Sequence, residues 1–223
     1  MGKRRISRGP KFPRRPRPAC DTRVVGRIFS PDFIGRVAEL EALDGALERA
    51  RTAGAPTVLV GGEAGIGKSR LVGEFSRRVQ PDVHVLNGAC APFGSSPPPF
   101  TPIVEALRSH VRSADEQQRA ELSARAPSLT RLLPELDVHG SQKRRRESSD
   151  AGQGLIFAQL LGVLEEAAKQ RTVVLVLEDL HCADRSTLDL LALRSQTGRA
   201  ERCLFLATYR TRATSSNRVT RCG

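Results

Sequence analysis

Residues 62–69 read Gly62-Glu63-Ala64-Gly65-Ile66-Gly67-Lys68-Ser69, set between the run Thr57-Val58-Leu59-Val60 and a segment with apolar residues at 71, 72 and 75. The run ahead reads as a short buried strand ending in Gly61-Gly62, and the spacing behind reads as a helix. A strand that turns through glycines into a helix aims successive backbone N–H groups at one spot, with the positive end of the helix behind them. The string fits G-x-x-x-x-G-K-[ST], the Walker A phosphate loop. In such a loop Lys68 places a point charge near the β- and γ-phosphates of a nucleotide, and Ser69 offers a hydroxyl to Mg²⁺.

The rest of the chain alternates in the same way. Leucines at 40, 43 and 47 and alanines at 46 and 50 predict an amphipathic helix over 34–51. A strand is predicted at 57–61 and a helix at 68–79, followed by the breaker Pro81-Asp82 and a strand over 83–87. Residues 90–102 form a Pro/Ser/Gly-rich loop, and helices follow at 102–112, 115–125 and 153–169. Thr172-Val173-Val174-Leu175-Val176-Leu177 is apolar on both faces, the mark of a central parallel strand. A helix over 186–196 and a fourth strand over 203–208 complete the pattern. Strand–helix alternation predicts an α/β fold, a three-layer sandwich around a parallel sheet of the P-loop NTPase class.

Two further positions carry chemistry. The strand from Val173 ends in Glu178-Asp179, a Walker B pattern that lies 110 residues beyond Lys68. Carboxylates there stand beside the phosphate loop, one to hold Mg²⁺ and the other to polarise the attacking water. Position assigns Glu178 to the metal and Asp179 to the water, and the reverse assignment stays open. Thr208-Tyr209-Arg210 follows the fourth strand, where a polar or cationic side chain can sense the γ-phosphate, and Arg210 is the candidate. Its alternative is a surface arginine at the start of a tail. His181, Cys182 and Asp184 are too local a run for a metal centre, and Asp184 or Ser186 reads instead as a helix N-cap.

Composition limits the remaining classes. The net charge of +12 suggests nucleic acid until it is divided. Residues 1–36 hold eleven Lys/Arg and two Asp, and residues 209–223 hold four Arg and no acid, which leaves −1 for 37–208. The basicity therefore belongs to the ends. No aromatic residues interleave the arginines, so no stacking platform for single strands is present. The five cysteines form no C-x-x-C pair, which argues against zinc and a disulfide framework and for a cytoplasmic setting. No apolar run is long enough to span a membrane. The organisation expected is a basic, Pro-rich disordered tail over 1–31, a nucleotide-binding domain over 32–210 with a flexible basic loop at 138–152, and a disordered tail over 211–223.

Phe33-Ile34-Gly35-Arg36, Glu39-Leu40, Gly61 to Leu71, Leu175 to His181, Ala183 to Thr187 and Thr208-Tyr209-Arg210 together resemble the origin-recognition-type AAA ATPase domain of bacterial STAND proteins, including the large LuxR-type transcriptional regulators. The resemblance covers about residues 32–211. It implies an ATP- and Mg²⁺-binding switch in which exchange or hydrolysis of ATP converts a closed monomer into a signalling oligomer. It assigns nucleotide contacts to Ile34, Gly35 and Arg36, as well as to Gly62, Glu63, Ala64, Gly65, Ile66, Gly67, Lys68, Ser69 and Arg70. Ser69 and Glu178 are its Mg²⁺ residues, and Asp179, Glu178 and Arg210 its catalytic ones.

This chain has Cys182 where the family usually has Trp, and Val37 where an acid is common. It also ends where the family continues into a fifth strand, a winged-helix lid and often a DNA-binding helix-turn-helix. It is therefore expected to be a truncated or frame-shifted product, with DNA reached only through a missing domain or the basic ends. With the usual strand order 5-1-4-3-2, strand 57–61 becomes an open edge, a site for self-association. Three functions follow: an ATPase module of a signalling or transcriptional regulator, an ATP-binding module without hydrolysis, and a nucleic-acid-binding protein using the basic ends.

Overall fold

Apolar runs too short for helices and buried on both faces build the centre of the molecule. The computed structural model describes residues 35–52, 54, 56–80, 82–90, 98–137, 152–197, 202–211 and 219–222. Strands β1 (Thr57–Gly62), β2 (His84–Ala89), β3 (Val173–Glu178) and β4 (Cys203–Arg210) lie parallel in the order β2-β3-β4-β1. Leu175 pairs with Leu86 on one side and Phe205 on the other, and Val58 pairs with Leu206. Residues 173–177 are wholly buried, which is why that strand shows no alternation.

Among the described residues six helices accompany the sheet: α1 (Val37–Thr52), α2 (Lys68–Val79), α3 (Thr101–Ser113), α4 (Glu116–Arg125), α5 (Gln153–Gln170) and α6 (Arg185–Thr197). Single-turn 3₁₀ segments lie at Pro127–Arg131, Pro134–Leu136 and Leu180–Cys182. Helix α1 starts later than the spacing predicts because Gly35 and Arg36 both take positive φ, +83° and +59°, which a helix does not admit. The core joins Leu86, Leu107, Leu129, Leu160, Leu175 and Phe205, each side chain worth about 1.5–3 kcal/mol on full burial. Helix α3 lies so close to β2 that a Cβ on Gly88 would stand 1.8 Å from the Pro102 carbonyl oxygen. Contacts divide the chain at Met1–Phe33 and Ile34–Gly223, and the first unit lies outside the described residues, as does nearly all of the loop expected at 138–152.

One expectation needs correction. Strand β1 is not an open edge: β5 (Val219–Cys222) runs antiparallel beside it, pairing Val60 with Val219 and Thr57 with Cys222. The sheet order is therefore β2-β3-β4-β1-β5, and the outer place expected to be vacant is filled from the polar tail. A ladder needs only backbone N–H and C=O groups, and four residues free of Pro and Gly supply them. So short a strand shows no hydrophobic period, which hides it in the sequence. Among the described residues no lid follows β4.

Candidate functional site

The site lies where β1 and β3 end on either side of β4, at the carboxyl edge of the sheet. Leaving β1 at Gly62, the backbone turns through Gly65 and Gly67 at φ +79° and +90°, a region side-chain-bearing residues rarely enter. Gly67 then caps α2 and accepts the Leu71 N–H at 3.0 Å. The phosphate loop of the sequence is thus a strand–turn–helix loop in three dimensions. Glu63, Ala64, Gly65 and Ile66 are exposed along it, and Ser69 and Arg70 are exposed on the first turn of α2.

Lys68 is the exception. Its side chain is only 8 % exposed, and Nζ donates to the Gly62 and Glu63 carbonyls, both at 2.9 Å. The ammonium therefore sits inside the curl of the loop, held by backbone carbonyls rather than by a carboxylate. Arg36 reaches the same loop from the chain ahead of α1, donating to the Ile66 carbonyl. Of the two other residues in its segment, Gly35 adjoins it at positive φ and Ile34 lies outside the described residues.

From the end of β3, Glu178 Oε2 accepts the Ser69 hydroxyl at 2.5 Å across 109 residues of sequence. A hydroxyl and a carboxylate in contact form a hard oxygen donor set that fits Mg²⁺. Asp179 has φ +57°, and its N–H donates to the Thr208 hydroxyl at 3.0 Å. Its Oδ1 lies 3.9 Å from Arg210 Nε and 3.7 Å from His181 Nδ1. The fold thus gathers Lys68, Ser69, Glu178, Asp179 and Arg210 around one loop end. The sequence reading missed the part played by Thr208. Its signal was a hydroxyl closing an otherwise apolar strand, in register with Val60 of β1. The Tyr209 ring lies over Gly61, where a Cβ would meet it at 2.6 Å.

Behind the acids stands a buried brace. Asp184, 8 % exposed, accepts the Phe100 N–H at 2.9 Å, the Thr187 N–H at 2.9 Å and the Thr187 hydroxyl at 2.6 Å. It therefore serves as the N-cap of α6 and is spent on hydrogen bonds rather than on a metal. The Cys90 N–H donates to the Glu178 carbonyl at 2.9 Å, and burial, with nearby acids adding to it, pushes the Cys90 thiol up to about 12. That thiol stays protonated and unreactive.

Residues 32–206 match the family model described as AAA ATPase domain. An uncharacterized protein of Rhizobium meliloti (strain 1021) is 28% identical in an alignment 182 residues long that covers 74% of this chain and 17% of that protein. The chain thus spans about a sixth of the length of the curated relative it matches. Among solved structures, the Drosophila ORC bound to poly(dA/dT) DNA and Cdc6 aligns with 79% of this chain and 25% of its own at 15% identity and TM-score 0.38. The Drosophila ORC bound to GC-rich DNA and Cdc6 aligns with 82% of this chain and 55% of its own at 17% identity and TM-score 0.33.

Proposed function

Since this chain belongs to the AAA ATPase domain family, we propose that it is the ATP-binding switch domain of a bacterial signalling or transcriptional regulator of the STAND type, with slow Mg²⁺-dependent hydrolysis. The observation that carries the reading is the contact of Ser69 with Glu178 at 2.5 Å beside an ammonium curled into the phosphate loop. Exchanging the Gly62 and Glu63 carbonyls for phosphate oxygens would give Lys68 an anionic partner in place of neutral ones, at no cost in side-chain burial. Ser69 and Glu178 would hold Mg²⁺, which supplies charge neutralisation between the phosphates when bound. Asp179, with its backbone fixed by Thr208, would orient water toward the γ-phosphorus, and Arg210 would stand where charge develops. The R. meliloti relative supports a bacterial setting, and no helix among the described residues is long and apolar enough to cross a membrane.

Titration with a fluorescent ATP analogue tests the reading. Lys68→Ala is expected to weaken binding by about a hundredfold, the scale of a lost charge-assisted contact with its attendant phosphate. Equal affinity of wild type and Lys68→Ala would overturn nucleotide binding at this loop. Phosphate release with Asp179→Asn as control then separates an ATPase from a module that only holds ATP. Salt-sensitive DNA binding without nucleotide binding would favour the third function, through the basic ends.

A further inference from the structure

The amino-terminal end of the sheet carries a second cavity, of about 370 Å³, within the range of small-molecule sites. Its walls come from the start of β2 (His84), the last turn of α3 (His110), helix α4, the end of α5 and Arg171 ahead of β3. The phosphate loop follows the opposite ends of these parallel strands. A strand of six residues separates the two sites by about 20 Å at roughly 3.3 Å per residue. Ligands of the two sites therefore do not share groups.

The chemistry of the walls is unbalanced toward donors. Glu166 already accepts from Lys169 at 2.7 Å and from Arg125, and these contacts, that with Lys169 first, hold its carboxyl below the usual range. Glu121 accepts the Gln117 amide at 3.2 Å. Gln118 spends its carbonyl on the Asp115 N–H in the capping box of α4, which leaves its amide N–H groups to the cavity. Arg171 is exposed and has no hydrogen bond or ion pair among the described residues. The His84 and His110 rings meet at 5.0 Å between centroids. Burial first, then the Arg171 charge at His84 and the His84 neighbour at His110, hold both imidazoles below their ordinary value. Near neutral pH the two rings are therefore uncharged and able to take up a proton. Leu122 and Ala167 supply an apolar floor.

We propose that this cavity is a binding site for a small organic carboxylate, seated between Arg171 and the His84–His110 pair with its apolar body against Leu122. An anion there lowers the cost of protonating the imidazoles, so binding takes up protons and strengthens as pH falls. The charged groups facing the histidines are Arg171 ahead of β3, Glu121 and Arg125 on α4, and Glu166 on α5. The ion-paired Arg125 and Glu166 stay charged across this range, which leaves the histidines to supply the pH dependence.

Benzoate is a suitable probe, followed by NMR of the histidine ring resonances in the full chain at pH 6 and pH 8. The expected result is saturable shifts of His84 and His110, at about tenfold higher affinity at pH 6, with Arg171→Gln weakening binding by about tenfold or more. Arg171→Gln and His110→Asn should keep the wild-type affinity for a fluorescent ATP analogue, which shows that they fold. Absence of saturable shifts, or shifts that persist unchanged in Arg171→Gln, would overturn the proposal. Inorganic phosphate binding without benzoate would reduce the cavity to a simple anion site and also overturn it. Because the two sites are separate, failure here leaves the nucleotide reading intact.

Discussion

The two ends of the parallel sheet are built on different plans. At the carboxyl end, the groups that would meet a ligand come from three short strings, 62–70, 178–181 and 208–210, and half of these residues are exposed. Backbone conformation does much of the work, through positive φ at Gly65, Gly67 and Asp179 and carbonyls turned onto Lys68. At the amino end, the cavity is assembled from side chains on β2, α3, α4 and α5, and its histidines are half-buried. A loop fixed by backbone geometry can be written in eight residues, whereas a cavity made of side chains needs the whole fold to be right before it exists. The carboxyl end should therefore lose function without losing stability. Its brace and the opposite end should couple chemistry to stability.

The sharpest break of that contrast is Asp184→Ala. Three hydrogen bonds converge on this buried carboxylate, two of them from backbone N–H groups that have no other acceptor among the described contacts. Leaving buried donors unsatisfied costs about 1–3 kcal/mol each. Urea unfolding of the variant should therefore show a loss of about 3 kcal/mol or more, against little change for Lys68→Ala. If Asp184→Ala melts like wild type and only nucleotide affinity falls, the brace belongs to the ligand site and the contrast fails.

Thr208→Val probes the seam between site and scaffold at smaller cost. The Thr208 hydroxyl is buried and accepts the Asp179 N–H, so losing it should cost about 1 kcal/mol in urea unfolding. Analogue binding should stay within about twofold of wild type, while phosphate release, if it occurs, should fall further, because only the backbone of Asp179 is released. Unchanged stability would show that Asp179 holds its left-handed conformation without this bond.

These differences explain what could be read ahead of the structure. The four parallel strands and the gathering of Lys68, Ser69, Glu178 and Asp179 follow from patterns that are local or paired with a known partner loop, whereas the strand order rests on the usual one. Each is carried by a strand whose apolar run is hard to mistake. Strand β5 was hidden because backbone pairing leaves no mark on a four-residue string. Thr208 was passed over for its charged neighbour Arg210, since a cation draws attention in a sequence and a buried hydroxyl does not. The histidine pair was illegible because His84 and His110 belong to separate elements, 26 residues apart, and only the close approach of α3 to β2 at Gly88 and Pro102 brings such positions together.

The smallest effect expected is also the one that isolates the amino end. Both histidines have folded-state pKa values below the unfolded value of about 6.5, so below that pH the unfolded chain binds more protons than the folded one. Stability should be fully present above pH 6.5 and decline as pH falls through the unfolded and then the folded values. Each proton must enter a half-buried site, and the second must also face the first across 5.0 Å. Urea unfolding between pH 5 and pH 8 measures this slope. His110→Asn should flatten it, because one titrating group is removed and His84 loses its charged neighbour. A saturating carboxylate ligand should flatten it too, by offsetting the cost of both protons. A slope that His110→Asn leaves unchanged would take the acid sensitivity away from the histidine pair, and with it the distinction between an end read by backbone and an end read by titratable side chains.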